Sequence, residues 1–493
     1  MSELVDRLAV PCDMFIGGQW RSAADGRRRD VVDPATEEVV ATVPEAADSD
    51  IDDALASTAA AFDVWRRTSA WERSAVLRRM CQIIRDDADR YAEVMTAEQG
   101  KPLPQARAEV LAAADQFDWC ADEARRIYGR TIDGHTTDTR ITVRREPIGP
   151  VAAFAAWNFP SLLPARKIAP ALAAGCSVIA MPPIESPLSA LLFGEAAAQA
   201  GLPDGVLNLI TGDPAKISDR LLTGTTIRKL SLTGSVPVGI ALNTLAARTL
   251  KSVSMELGGH APVLVFPDAD IDSAARACAL GKFRNAGQVC ISASRFLVHE
   301  SIADQFTEAF IEQTRALRVG PGRDPGVDVG PLGSEKRREA VEALVEDAVS
   351  KGATLACGGF RPDEFAAGFF FAPTVLTGVS QDMDVMTQEP FGPIAPITTF
   401  STFDEAIALA NSTEFGLAGF VYTRDLDTAY RASEALETGM VGVNQLTIAT
   451  AEAPFGGVKY SGFGSEGGTE GVLDYTHPKY VNMLLPGMPP EWA

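Results

Sequence analysis

The chain has 493 residues, with 65 acidic against 44 basic side chains and a formal net charge of −21. That length exceeds what one core holds and points to two or three domains. A composition of 46% hydrophobic and 22% charged residues excludes a mainly disordered or collagen-like chain, and the acidity argues against nucleic acid or an anionic membrane as partner.

In chain order, residues 14–20 and 30–43 predict short strands, with turns at Gly17-Gly18 and Asp33-Pro34. Residues 49–100 are helical in pattern, with Ala54, Ala61, Trp65, Leu77, Met80, Ile84 and Tyr91 at helix-like spacings. A second long helix is expected over 104–128 and a strand over 140–145. The texture then changes. Strands at 151–156, 177–180, 206–210 and 229–232 alternate with helices at 164–174 and 187–200, the signature of a parallel sheet with crossover helices. After Glu256-Leu257-Gly258-Gly259 the alternation restarts with strands at 262–266 and 295–299 and helices at 272–283 and 302–317, and further units run to Asn444. A strand-like 480–485 ends the chain. The reading is two α/β domains, the first interrupted, with a tail that packs elsewhere.

No secretory signal is expected, because residues 1–15 carry Glu3, Asp6, Arg7 and Asp13 and no apolar core. The most apolar stretch, 168–183, is short and holds Pro170, Pro182 and Pro183, so it is no membrane span. The seven cysteines (Cys12, Cys81, Cys120, Cys176, Cys278, Cys290, Cys357) are scattered, odd in number and without a CxxC pair. Neither a metal site nor a disulfide framework is expected, and a reducing, cytoplasmic location fits best.

One cysteine stands apart. Cys290 ends the run Phe283-Arg-Asn-Ala-Gly-Gln-Val-Cys, where Asn285, Gly287 and Gln288 make a polar turn rather than a packed strand. A lone cysteine is ordinarily a small buried hydrophobe, but a reactive thiol needs this kind of accessible, donor-rich turn. Asn158 before Phe159-Pro160 fits an Asx-type turn, and Glu256 before Leu-Gly-Gly fits an ordinary exposed carboxylate. Thr233-Gly234-Ser235 followed by Gly239 lies between a strand and a helix, where backbone N–H groups can meet a pyrophosphate, though an ordinary turn explains it equally.

Taken together, Asn285 to Cys290, Glu256-Leu-Gly-Gly, Trp157-Asn158-Phe159-Pro160 and Glu389-Pro-Phe391-Gly resemble the aldehyde dehydrogenase superfamily, in its order and spacing along nearly the whole chain. The resemblance implies a Rossmann-like parallel-sheet cofactor domain (1–129 and 147–257), an α/β domain bearing the thiol (258–454) and small β oligomerisation segments (130–146 and 465–493). It implies a homodimer or homotetramer. It also implies oxidation of a small-molecule aldehyde to an acid through a thiohemiacetal and a thioester, with Cys290 as nucleophile, Asn158 as oxyanion donor and Glu256 as base. Cofactor contacts are implied for Trp157, Met181, Gly234, Ser235, Gly239, Leu257, Glu389 and Phe391. The family's Lys-Pro-x-Glu is here Met181-Pro182-Pro183-Ile184. A methionine donates no hydrogen bond to a 2′-phosphate, so NAD is expected, with NADP less favoured.

Within the family the chain is most similar to succinate semialdehyde dehydrogenases. That similarity implies a substrate carboxylate held by Arg166 and Arg284, with Thr450 matching a further hydroxyl position and Phe455 nearby. Trp157, Phe159, Phe283 and Phe455 are expected to line an apolar channel. An aromatic or longer aliphatic aldehyde is the alternative substrate. The alternative of another class is a non-catalytic or weakly cofactor-binding relative, supported by Met181 and Ile184 alone. Cys290→Ala is expected to abolish aldehyde-dependent NAD(P)H production, followed by absorbance, while leaving dinucleotide binding intact in a fluorescence titration.

Overall fold

The computed structural model describes residues 3–136 and 138–485. Its first sheet has eight strands in the order Gln19–Arg21, Met14–Ile16, Leu207–Leu209, Val178–Met181, Val151–Phe154, Lys229–Thr233, Ser252–Glu256 and Gly462–Phe463. The five middle strands run parallel and the flanking pairs antiparallel. Val151–Phe154 and Val178–Met181 are buried at every position, because helices cover both faces; they therefore read as continuous apolar runs rather than alternating ones. The chain adds strands in one direction from Val151–Phe154 to Leu207–Leu209, then reverses to Lys229–Thr233 on the other side. Ligands of open parallel sheets bind beyond the strand ends at such a reversal. Here that place lies just past Phe154 and Thr233.

The long helical pattern resolves into Asp48–Trp65, Ala70–Asp86 and Ala88–Gln99. The first break is encoded locally: Ser69 Oγ accepts from the Glu72 N–H, and the Glu72 carboxylate accepts from the Ser69 N–H, a reciprocal cap that starts a new helix. Leu103–Glu123 and Leu162–Ala174 pack behind, around Leu77, Met80, Phe117 and Leu172. The opposite face is closed around Ile51, Ile179, Ile217 and Leu230. Gly100 ends its helix in the left-handed region (φ 86°), and a Cβ there would lie 2.6 Å from Pro331 Cγ, so only glycine lets the chain turn into Lys101 at this point.

The second sheet runs Thr354–Cys357, Thr374–Thr377, Ile394–Phe400, Ala293–His299, Ala261–Val265, Ala418–Tyr422 and Met440–Val443. Only its first pair is antiparallel. Segments leaving the carboxyl ends of the first sheet meet the segment entering Ala293–His299, and this junction holds the site.

A third sheet pairs Thr476–Leu484 with Thr139–Pro147 and that strand with Arg130–Asp133. It exposes Ile132, Tyr480, Met483 and Leu484. The expected tail segment 465–493 divides. Val472 and Tyr475 belong to the first core, only Thr476–Leu484 forms the outlying strand, and 486–493 lie outside the described residues. Periodicity marks no strand at Ser252–Glu256 or Gly462–Phe463, yet both join the first sheet. The former mixes polar and apolar residues, and the latter is a two-residue strand whose partner is remote in sequence. Among the described residues no helix is long and apolar enough to cross a membrane.

Candidate active site

The helix Ile271–Phe283 ends in a tight turn, Arg284–Gly287, in which Asn285 and Ala286 are left-handed (φ 50° and 54°). That region costs a non-glycine residue about 1–2 kcal/mol, so the turn persists only because its surroundings hold it. Asn285 supplies the hold. Its N–H donates to Gln105 Oε1 at 2.9 Å, Gln99 Nε2 donates to its Oδ1 at 3.0 Å, and its Nδ2 donates to the Asn158 carbonyl at 3.0 Å. Gly287 continues the turn (φ 73°), and a Cβ there would sit 2.2 Å from the Gly392 carbonyl oxygen. The reversal leaves Cys290 half-buried in a cavity of about 310 Å³.

Burial pushes the Cys290 thiol up to about 12, with Glu389 and Glu256 adding to the rise while Arg166 and the Ile291 N–H oppose it. The protonated thiol is thereby favoured over the thiolate. Asn158 Nδ2 donates to the Gln288 carbonyl at 2.9 Å. An amide nitrogen has two hydrogens, so the second is free for an oxyanion.

Glu256 closes the strand Ser252–Glu256 and is 4% exposed. Neither of its carboxylate oxygens has a hydrogen-bond partner among the described residues. Burial raises its carboxyl well above the usual range; Glu466 adds to this, while Lys167 and Arg166 oppose it. Glu466 itself pairs with the fully buried Lys167. Neither residue is marked by the sequence motifs. Their one signal is a lysine next to Arg166 in a helix, Leu162–Ala174, that is otherwise apolar and buried from Leu163 onward.

On the other side, at the sheet reversal, the Gly234 N–H donates to the Glu256 carbonyl at 3.0 Å. Ser235 opens the helix Val236–Ala247 without a side-chain cap. Thr233 Oγ1 is buried with no partner among the described residues. A Cβ at Gly239 would meet Leu257 Cδ2 at 2.7 Å, so glycine permits this close packing. Glu389 accepts from the Gly259 N–H at 3.0 Å, and burial pushes its carboxyl up to about 7. Trp157 and Phe391 pack edge to face at 5.7 Å. An uncapped helix start and an orphaned hydroxyl at this reversal, with the half-buried Glu389 carboxylate against Gly259, fit a dinucleotide. Met181, by contrast, is 7% exposed and packs in the core with Phe154, Ile179 and Ile210.

The cavity wall includes Phe159, Arg166, Arg284, Phe455 and Lys101 beside Cys290. Arg166 is 1% exposed, with its guanidinium 4.1 Å from the Phe455 ring centre, and none of its three nitrogens has a hydrogen-bond partner among the described residues. The Arg284 guanidinium lies 5.5 Å from the Phe159 ring centre. Three expectations need correction. Phe283 does not line this channel: it is 1% exposed and packs on Phe310 in the second core, because it lies on the inner face of its helix. Thr450 borders an adjoining acidic groove with Asp115, Asp118 and Asp122, and Ala449 stands between the two spaces. Trp157 sits on the cofactor side, against Phe391.

Residues 20–481 match the aldehyde dehydrogenase family. The chain belongs to that family and is an oxidoreductase that converts aldehydes to acids with NAD(P). It is 43% identical to a succinate semialdehyde dehydrogenase of Acinetobacter baylyi, over 95% of this chain and 96% of that one. It is 45% identical to a 3-sulfolactaldehyde dehydrogenase of Pseudomonas putida, over 98% and 99%. The crystal structure of succinate-semialdehyde dehydrogenase from Burkholderia pseudomallei superposes with a TM-score of 0.95 at 43% identity, covering 97% of this chain and 98% of that one.

The elevated thiol has a direct test. Alkylation of Cys290 by iodoacetamide, followed by peptide mass spectrometry in the ligand-free protein, is expected to be slow at pH 7 and to accelerate steadily with pH. Arg166→Ala removes a charge that favours the thiolate, so the thiol rises further and alkylation slows at each pH. An unchanged rate would disconnect the guanidinium from the thiol.

Proposed function

We propose that the protein oxidises an aldehyde whose far end carries a carboxylate, such as succinate semialdehyde, to the corresponding diacid. The observation that carries this reading is Arg166. A buried guanidinium without partners costs several kcal/mol in desolvation, and an anionic substrate group supplies the missing acceptors. Arg284 borders the same cavity, and a planar fork of donors suits a carboxylate. Phe159, Leu163 and Phe455 provide apolar walls for the intervening carbon chain. The names of the 43% identical relatives support this reading. The 45% identical 3-sulfolactaldehyde dehydrogenase supports a second one, in which the same guanidinia hold a sulfonate.

In this mechanism Cys290 Sγ attacks the aldehyde carbon as its proton passes to a base. The Asn158 side-chain amide and the Cys290 N–H donate to the developing oxyanion, an interaction whose loss typically costs about 100-fold or more in rate. NAD(P), when bound, supplies the hydride acceptor. Trp157, Gly234, Ser235, Gly239, Leu257, Glu389 and Phe391 would hold it. Glu256 then takes a proton from the water that hydrolyses the thioester, and the burial that raises its carboxyl makes its ionised form a stronger base. Met181 and Ile184 offer nothing to a 2′-phosphate, which favours NAD over NADP. In the same reading 1–129 with 147–257 form the cofactor domain and 258–454 the thiol domain. The strands Arg130–Asp133, Thr139–Pro147 and Thr476–Leu484 join copies into a homodimer or homotetramer in the cytoplasm.

Arg284→Ala is expected to raise KM for succinate semialdehyde about 5-fold, as for a solvent-exposed charge-pair partner, and to leave KM for propanal unchanged in steady-state assays. Equal effects on both substrates would remove the anion clamp. A panel that adds a sulfonate-bearing aldehyde decides between the two anions by kcat/KM. Met181→Lys is expected to lower the Kd for NADP more than for NAD in fluorescence titrations. Unchanged values for both would place the adenosine ribose elsewhere.

A further inference from the structure

Lys101 borders the substrate cavity, yet no step above uses it. It is 2% exposed. Its Nζ donates to Glu109 Oε2 and, at 2.8 Å, to the Asn158 carbonyl, and it lies 4.2 Å from the Phe159 ring centre. Two of its three donors are thus committed to protein, which distinguishes it from Arg166, whose guanidinium has no hydrogen-bond partner among the described residues. Glu109 works in the same direction. Its Oε1 accepts from the Ser161 and Leu162 N–H groups at 2.9 and 3.1 Å, at the start of the helix that carries Arg166. Together the pair grips both ends of the segment from Asn158 to Leu162. The Asn158 carbonyl also receives Asn285 Nδ2 at 3.0 Å, so the backbone of the oxyanion residue is fixed from two sides, by the cavity wall and by the nucleophile turn.

Fold stability is a poor reason for such a pair, since apolar residues of similar volume replace buried ion pairs at little cost. Geometry is a better one, because an amide must point at the oxygen that becomes charged, and a shift of about 1 Å can cost about 100-fold. We propose that Lys101 is a positioning residue for aldehyde oxidation: with Glu109 as its counter-ion it holds the Asn158 carbonyl and thereby aims the Asn158 side-chain amide at the oxyanion formed on attack by Cys290. The inference rests on Asn158 being an oxyanion donor, as proposed above.

The test is a kinetic cycle with succinate semialdehyde and with propanal. Lys101→Met is expected to lower kcat about 100-fold for both aldehydes, with KM and the Kd for NAD unchanged. The charge-neutral pair Lys101→Met/Glu109→Gln leaves no buried charge unpaired, and it should show the same loss with a normal circular dichroism spectrum. In an Asn158→Ala background, Lys101→Met should add nothing further, because the group it aims is gone. Full additivity overturns the proposal, since a merely structural role would add. A rise in KM for succinate semialdehyde alone also overturns it, by making Lys101 a third substrate cation. If Asn158→Ala lowers kcat and Lys101→Met does not, only the positioning role falls. If Asn158→Ala leaves kcat intact, the oxyanion reading falls and this inference with it.

Discussion

Two left-handed residues, Asn285 and Ala286, determine where the thiol stands. Without that reversal the helix Ile271–Phe283 would run on, and Cys290 would be another core cysteine like Cys278. The reversal is unfavourable on its own, so it must be held, and the hold comes from across the molecule. Gln99 and Gln105 reach in from the first domain's helical layer, and the carbonyl of Asn158 takes the Asn285 amide. The turn that carries Cys290 and the segment that carries Asn158 are therefore one hydrogen-bonded unit, built from pieces that the chain brings together from far apart.

Burial dominates the electrostatics of this unit. It raises Cys290, Glu256 and Glu389 alike, and each would stay protonated more readily than in water. The cations of the helix Leu162–Ala174 work against that trend: Arg166 opposes the rise of both Cys290 and Glu256, and Lys167 opposes that of Glu256. The site is thus locally basic inside a strongly acidic protein. The −21 charge describes a solvated surface, while the cavity takes its character from Arg166 and Arg284, with Lys101 neutralised by Glu109. An anionic substrate entering this space adds a negative charge beside Arg166, which is one reason to expect thiol reactivity and substrate binding to be linked.

Much of the fold was legible in the chain. Alternating apolar strands and helices marked both parallel sheets, because a strand buried on both faces has to be apolar throughout and a parallel neighbour requires a crossover between them. The helix start at Ser69 and Glu72 is strictly local chemistry, yet the periodicity over 49–100 runs straight across it. The strands Ser252–Glu256 and Gly462–Phe463 were not legible, because their membership in the sheet depends on partners rather than on their own pattern.

The site divides in the same way. The sequence alone determined its chemical groups: a cysteine in a polar turn, an asparagine before Phe-Pro, a glutamate before Leu-Gly-Gly and two arginines, all at family spacing. Only the tertiary structure decided what each group experiences. It left Arg166 without partners, gave Lys101 to Glu109 and Asn158, set Lys167 and Glu466 beside Glu256, turned Phe283 into the core and put Thr450 behind Ala449. The reason is physical. Residue type fixes which bonds and charges a side chain can offer, but burial, partners and fields arise from segments distant in sequence, and these exist only once the two sheets have met.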